Sequence, residues 1–225
     1  MVEISVMVFA AGFGKRMGAL TKDRPKPLVE VCGLPLIDHA LALVNGIDKT
    51  HVVINTHYKH EMLQAHFADA PIKISLEFPD VLETGGGLKA ALPMLETNPV
   101  ITLNSDVVWA GKNPLQELIN HWDSSRMDGL LLCIYPTQKY GHEGPGDFLM
   151  DTQGALCRQG DLVYSGAQII KTDLLDQIDD KVFSLNRLWD VMLKKKTLFG
   201  IIYSGLWCDV AVSYTHLTLP TMLMV

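Results

Sequence analysis

Gly12 and Gly14 directly follow a short apolar run, Val6 to Phe9, and Lys15, Arg16 and Lys26 lie in the same loop. A run of that length with these flanks reads as a buried strand. Glycines just beyond such a strand let backbone N–H groups approach an anion closely, and the cations add fixed positive charge. Ala11, Gly12, Gly14, Lys15, Arg16 and Lys26 are therefore candidates to hold a triphosphate. Two familiar phosphate loops are excluded. Gly18 comes one place too late for Gly-x-Gly-x-x-Gly, and no Gly-x-x-x-x-Gly-Lys-Ser/Thr is present. The competing reading is an ordinary basic turn after a first strand.

Other residues could complete such a site. Lys26 sits between Pro25 and Pro27, whose fixed φ and preference for an extended path make it a rigidly placed point charge. Arg16 offers a planar fork for phosphate oxygens. Asp106 closes an apolar strand and Asp209 follows Trp207-Cys208, so both could stand at strand ends, where hard carboxylate oxygens suit Mg²⁺. The alternative for each is a turn or cap carboxylate. Thr84 to Gly87 opens a helix with three glycines, which would let a flat base approach the backbone; the alternative is a flexible helix start. Asn55 is a pocket or a turn residue. Asp147, in Gly146-Asp-Phe148, either accepts hydrogen bonds from sugar hydroxyls or holds a turn. His57 and His60 are three apart but lack a third ligand, and read as an exposed helix face.

These pieces resemble a known family. Ala10-Ala-Gly-x-Gly-x-Arg16, Pro25-Lys-Pro27, Leu82-Glu-Thr-Gly-Gly-Gly87 and Asn104-Ser-Asp-Val107 are followed by Gly146-Asp-Phe148, Ser165-Gly166 and Trp207-Cys-Asp-Val210. That order is similar to the sugar-1-phosphate nucleotidyltransferases, and above all to those that transfer UMP to N-acetylmuramate 1-phosphate in bacterial cell-wall recycling. The resemblance implies UTP and a sugar 1-phosphate as partners, Mg²⁺ as cofactor and direct in-line attack at the α-phosphorus. It puts the metal on Asp106 and Asp209, and makes Arg16 and Lys26 the catalytic cations, with Lys26 on the α-phosphate. It assigns the nucleotide to Ala11, Gly12, Gly14, Lys15, Asn55, Glu83, Thr84, Gly85 and Gly86, with uracil at the glycine run and Glu83 shaping that loop. Asn104, Asp147, Ser165 and Gly166 fall on the sugar side. Two departures stand out: Ala19 precedes Leu20-Thr21 where the family has Pro-Leu-Thr, and Ser105 replaces a glycine, which matters only if positive φ is needed there. The alternatives are another sugar phosphate or base (glucose 1-phosphate with UTP or dTTP, mannose 1-phosphate with GTP) and a non-catalytic nucleotide-sensing module.

The elements that must position these residues follow from periodicity. Strands are expected at 5–9, 51–55, 72–78, 100–103 and 130–135, and helices at 36–45, 59–67, 87–95, 114–122 and 185–194. In 36–45 the apolar residues Leu36, Ile37, Ala40, Leu41 and Val44 mark one helical face. The alternation argues an α/β fold, a Rossmann-like, mostly parallel mixed sheet covered by helices, whose ligands bind beyond the carboxyl ends of the strands. From 141 to 166 short alternations with Gly and Pro suggest a sugar-binding flap, or a meander completing the sheet.

The chain has 225 residues, enough for one α/β domain, and is 48% apolar, which excludes disorder. A net charge of −6 argues against nucleic acid or a membrane surface as partner. The one basic run, Lys194 to Lys196, fits a helix C-terminus. Four scattered cysteines without Cys-x-x-Cys imply reduced thiols in the cytoplasm, and the first residues do not read as a signal peptide. A monomer or weak homo-oligomer is expected. Residues 212 to 221, Val-Ser-Tyr-Thr-His-Leu-Thr-Leu-Pro-Thr, resemble one reading frame of a sequencing-library adapter. The expectation is therefore a nucleotidyltransferase domain over 1–210, truncated at its C-terminus, followed by a non-native tail over 211–225.

Overall fold

The computed structural model describes residues 3–142 and 144–210; the expected non-native tail lies outside the described residues. The first half of the chain runs through β1 (Ser5–Phe9), a hairpin of β2 (Glu30–Val31) and β3 (Leu34–Pro35), α1 (Leu36–Asn45), β4 (Val52–Thr56), α2 (His60–His66), β5 (Lys73–Leu76) and α3 (Glu83–Leu95). Then come β6 (Val100–Asn104), β7 (Val107–Ala110), α4 (Pro114–His121), β8 (Gly129–Ile134), β9 (Lys139–Tyr140), β10 (Phe148–Met150) and β11 (Leu156–Arg158). The described chain finishes with β12 (Val163–Ile170), α5 (Asn186–Lys195), β13 (Leu198–Ile202) and β14 (Leu206–Asp209).

Seven strands form the main sheet, in the order β13-β8-β12-β6-β1-β4-β5. The pairs β1/β4, β1/β6, β4/β5 and β8/β13 are parallel; β12 is antiparallel to both β6 and β8. The chain builds outward from β1 to β4 and β5, then returns to place β6 on the other side of β1. That reversal opens a crevice at the carboxyl ends of β1 and β6. The apolar run of β1 serves both faces of the sheet. Val6 and Val8 belong to the apolar cluster on one face with Ile37 and Val44 of α1 and Leu115 and Leu118 of α4, while Met7 belongs to the cluster on the other with Leu88 and Leu95 of α3 and Leu188 and Met192 of α5.

A smaller sheet, ordered β7-β14-β9, stands beside the crevice. Under it lies a separate apolar cluster of Met17, Val29, Val31, Leu36, Val108, Cys208 and Val210. Met17 belongs to the basic loop, Val108 to β7 and Cys208 to β14, so one patch of burial fixes the loop against β7, which Asp106 directly precedes, and β14, which ends in Asp209.

Three expectations need correction. The helix expected at 87–95 begins at Glu83. His57 lies in the loop after β4, with its Nδ1 2.8 Å from the Glu77 carbonyl oxygen, so it is not on a helix face; His60 opens α2 and is half-buried. The segment 163–166 is not flap but the start of β12, an interior strand, leaving β10 and β11 as the hairpin. Asp106 stands just past the end of β6, in the two-residue turn that joins it to β7.

Candidate active site

β1 sets the level of the site. Phe9 is paired with Asn55 of β4 on one side and Asn104 of β6 on the other, so three strands end together. Ala10, Ala11 and Gly12 leave β1, and Ser105 and Asp106 leave β6. Ser105 is outside the positive-φ residues, so it costs no strain where the family has glycine. Its hydroxyl also donates to the Phe9 carbonyl (2.7 Å) and ties the two strand ends together.

Lys26 Nζ lies 2.8 Å from Asp106 Oδ2. The lysine occupies a short 3-10 turn behind Pro25, whose backbone is extended. Gly14, at φ 64°, lets the basic loop close on it: a Cβ there would stand 2.8 Å from Lys26 Cβ and 3.0 Å from Thr21 Cγ2. Thr21 then pins the loop by donating to the Gly14 and Gly18 carbonyls.

The second aspartate reaches the same place by strand pairing. In the antiparallel β7/β14 ladder Asp209 faces Val107, and the Val210 amide donates to the Asp106 carbonyl at 2.9 Å. Burial pushes the Asp209 carboxyl above its ordinary value, and the charge of Asp106 adds to this; the hydrogen bond from His142 and the charge of Lys26 pull it back. His142 Nδ1 is 3.3 Å from Asp209 Oδ2. Two neighbouring carboxylates with incomplete neutralisation are a donor set that fits a hard divalent cation sharing its sphere with phosphate and water. No group of three or more His, Cys, Asp or Glu side chains suited to an ion occurs among the described residues.

On the other wall, Asn55 is buried and fully engaged. Its Oδ1 accepts from the Ala10 amide (2.8 Å) and its Nδ2 donates to Glu77 Oε1 (2.7 Å). Glu77, 1% exposed, accepts from the Leu82 amide through Oε2 at 2.7 Å. This pair braces the loop after β1 against the start of α3. Glu77 escaped the sequence reading; the available signal was an acidic residue closing the mostly apolar stretch that ends in β5.

Glu83 and Thr84 border the cleft, and Glu83 is held at φ 60°. The glycines after them face elsewhere. A Cβ on Gly85 would lie 2.4 Å from the Phe183 ring, one on Gly86 2.3 Å from the Lys181 carbonyl oxygen, and one on Gly87 2.5 Å from Glu77 Oε1. Gly85 and Gly86 both donate their amides to the Phe183 carbonyl. Close approach is the reason for the glycines, as expected, but what approaches is the protein's own chain.

The sugar-side candidates divide. Asn104 lines the cleft. Gly166, at φ 91°, sits where β12 shifts register, and a Cβ would stand 3.0 Å from Asn104. Ser165 is fully buried and donates to the Leu132 carbonyl (2.6 Å), so its hydroxyl is spent inside the protein; that corrects its expected role. Asp147 accepts from the Tyr164 amide through Oδ2 (2.9 Å) and lies outside the cleft's lining. The cleft itself measures about 230 Å³ and brings together Ala11, Gly12, Lys26, Asn55, Glu83, Thr84, Asn104 and Asp106. Gly14, Lys15 and Arg16 stand outside that lining, with Lys15 Nζ 5.1 Å from the Phe13 ring centre and Arg16 exposed.

The MobA-like NTP transferase domain matches residues 6–163. The chain is 37% identical over 220 residues to the N-acetylmuramate alpha-1-phosphate uridylyltransferase of Caulobacter vibrioides, covering 91% of this chain and 90% of the relative. The chain belongs to the MobA-like NTP transferase family. It is a nucleotidyltransferase of the sugar-1-phosphate type. Among other family relatives is a mannose-1-phosphate guanyltransferase of Gibberella zeae, 28% identical over 91% of this chain and 60% of that longer protein. The NTP transferase fold also appears in the inositol-1-phosphate CTP transferase of T. maritima, at a TM-score of 0.78 and 13% identity over 96% of this chain and 92% of that one. The match of the family domain ends at the start of β12, so Asp209 lies beyond it. No helix among the described residues is long and apolar enough to cross a membrane.

Proposed function

We propose that the protein transfers UMP from UTP to a phosphate oxygen of N-acetylmuramate 1-phosphate, releasing pyrophosphate, with Mg²⁺ held by Asp106 and Asp209. The observation that carries this reading is the meeting of residues from three distant parts of the sequence: Lys26 and Asp106 line the cleft, and Asp209, outside that lining, is brought beside Asp106 by the β7/β14 pairing. The identity to the Caulobacter vibrioides uridylyltransferase supports the choice of UTP and of the sugar. The sugar phosphate oxygen would attack the α-phosphorus as the bond to the pyrophosphate oxygen breaks, so no covalent enzyme intermediate is required. When bound, the metal would neutralise phosphate charge and orient the triphosphate. Lys26, rigid between its prolines, would turn from Asp106 to the α-phosphate and stabilise the charge that builds there. Arg16 and the amides of Ala11 and Gly12 would hold the rest of the triphosphate. Asn104 and Asp147 would orient the sugar. All four cysteines are unpaired, in keeping with a reducing cytoplasmic setting.

The test is pyrophosphate release from UTP, dTTP or GTP with N-acetylmuramate 1-phosphate, glucose 1-phosphate or mannose 1-phosphate, with and without Mg²⁺. The expected result is Mg²⁺-dependent turnover fastest with UTP and N-acetylmuramate 1-phosphate. Preference for GTP with mannose 1-phosphate, the chemistry named for the Gibberella zeae relative, would replace this assignment. Nucleotide binding with no pyrophosphate from any pair would point to a sensing module.

A further inference from the structure

The lip of the cleft at Glu83 and Thr84 is held from behind by a segment of the chain a hundred residues away. Leu82 O accepts from the Phe183 amide (3.2 Å), and Gly85 and Gly86 donate to the Phe183 carbonyl (2.9 and 3.0 Å). Thr84 Oγ1 accepts from the Leu185 amide (3.0 Å). The Phe183 ring is 3% exposed and lies over Gly85, where a Cβ would be only 2.4 Å away. The Lys181 carbonyl covers Gly86 in the same manner. Amides in the first turn of a helix have no partners within the helix. Here Phe183 takes those of Gly85 and Gly86, and the two residues before them border the cleft.

Glu83 shows that the arrangement is under tension. It holds φ 60° without being glycine, a conformation that persists only where its surroundings over-determine it. Those surroundings are Leu82, bound on one side by Glu77 and on the other by Phe183, and Gly85 and Gly86, bound by Phe183. The geometry points to residues 181–185 as a strap that sets the nucleotide lip, with Phe183 as a positioning residue: it touches no substrate and acts through Glu83 and Thr84. This deepens the proposed function and rests on it for the seating of the nucleotide at Glu83 and Thr84 and for its identity.

Three variants test the strap: Phe183→Ala, which removes its anchor; Gly86→Ala, which drives a methyl into the Lys181 carbonyl; and Phe183→Leu, which refills the space. Amide hydrogen exchange is read at Gly85 and Gly86, with the β1 amides as internal control. Affinity is measured by calorimetry for whichever of UTP, dTTP or GTP the unaltered protein binds, and KM for nucleotide and for sugar phosphate are compared. The expected result is exchange at Gly85 and Gly86 at least tenfold faster in the Ala variants while β1 is unchanged. Nucleotide affinity and KM should weaken about tenfold with kcat and sugar-phosphate KM within twofold, and Phe183→Leu should restore most of both. Unchanged exchange at the glycines, or nucleotide and sugar phosphate affected equally, overturns the strap. A preference for GTP over UTP overturns the substrate assignment alone, since the same comparison then runs with GTP. If either Ala variant unfolds, unfolding will show as fast exchange in β1 as well, and Phe183→Val, a smaller truncation that also leaves the space part-empty, takes its place: a nucleotide-only loss supports the strap, and no loss at the lip or an equal loss for both substrates overturns it.

Discussion

Asp209 carries a charge that its own surroundings resist. Burial and the neighbouring Asp106 both push its carboxyl upward. The native state therefore binds a proton more readily than the unfolded chain does. Its contribution is neutral below the unfolded value of about 3.9 and becomes a loss of stability as pH rises through the raised native value. Asp209→Asn should accordingly raise the melting temperature at neutral pH, by about 2–4 °C for each kcal/mol regained, while abolishing turnover. Scanning calorimetry at pH 7 and again below pH 4 checks this: the gain should shrink in acid, and a gain that persists there would assign it to something other than the charge. For Asp106→Ala the expected loss of turnover is on the order of 10²–10⁴-fold, as loss of several kcal/mol of metal stabilisation implies. Steady-state kinetics at saturating Mg²⁺ measures it. Both aspartates were legible because a carboxylate at the end of an apolar run has no core role to play. Ser165 misled for the converse reason: a hydroxyl in a short polar motif looks available, and nothing local reveals that a backbone carbonyl on β8 already takes it.

At the scale of elements, Gly87 shows how tightly the start of α3 is built. A methyl there would press on Glu77 Oε1 at 2.5 Å and on Asn55 Nδ2 at 3.0 Å, in a buried network whose acceptors cannot turn to water. Gly87→Ala should cost on the order of 2–4 kcal/mol despite the better helix propensity of alanine, and denaturant unfolding would show it as a lower midpoint with unchanged slope. A neutral effect would mean that the network can shift. The elements visible in the sequence were those whose pattern is self-contained: β1, β4, β5, β6 and β8 as apolar runs, α1 as an apolar stripe, and α2, α4 and α5 within a residue or so of their expected bounds. β12 was hidden because Ser165, Gly166 and Gln168 interrupt it. Their partners are distant in sequence: Gln168 donates to Thr102 and accepts from the Trp189 indole, and both bonds are buried. β7 and β14 are four residues each and pair across a long stretch of chain, so neither advertises the sheet that joins them.

For the molecule as a whole, the cleft lies where loops from separate strands meet, so ligand binding should tighten all of them together. UTP with Mg²⁺ at a hundred times its dissociation constant should stabilise the fold by about 2.7 kcal/mol, and thermal unfolding with and without the pair would measure it. Asp106→Ala should lose most of that gain; an equal gain in the variant would place the nucleotide elsewhere. The topology also imposes an order in time. The basic loop, Lys26 and Asp106 are made in the first half of the chain, while Asp209 arrives on the last described strand. On the proposed assignment of the metal to Asp106 and Asp209, a nascent polypeptide on the ribosome holds only one of the two carboxylates until β14 has emerged and zipped onto β7, and catalysis would wait for that last step.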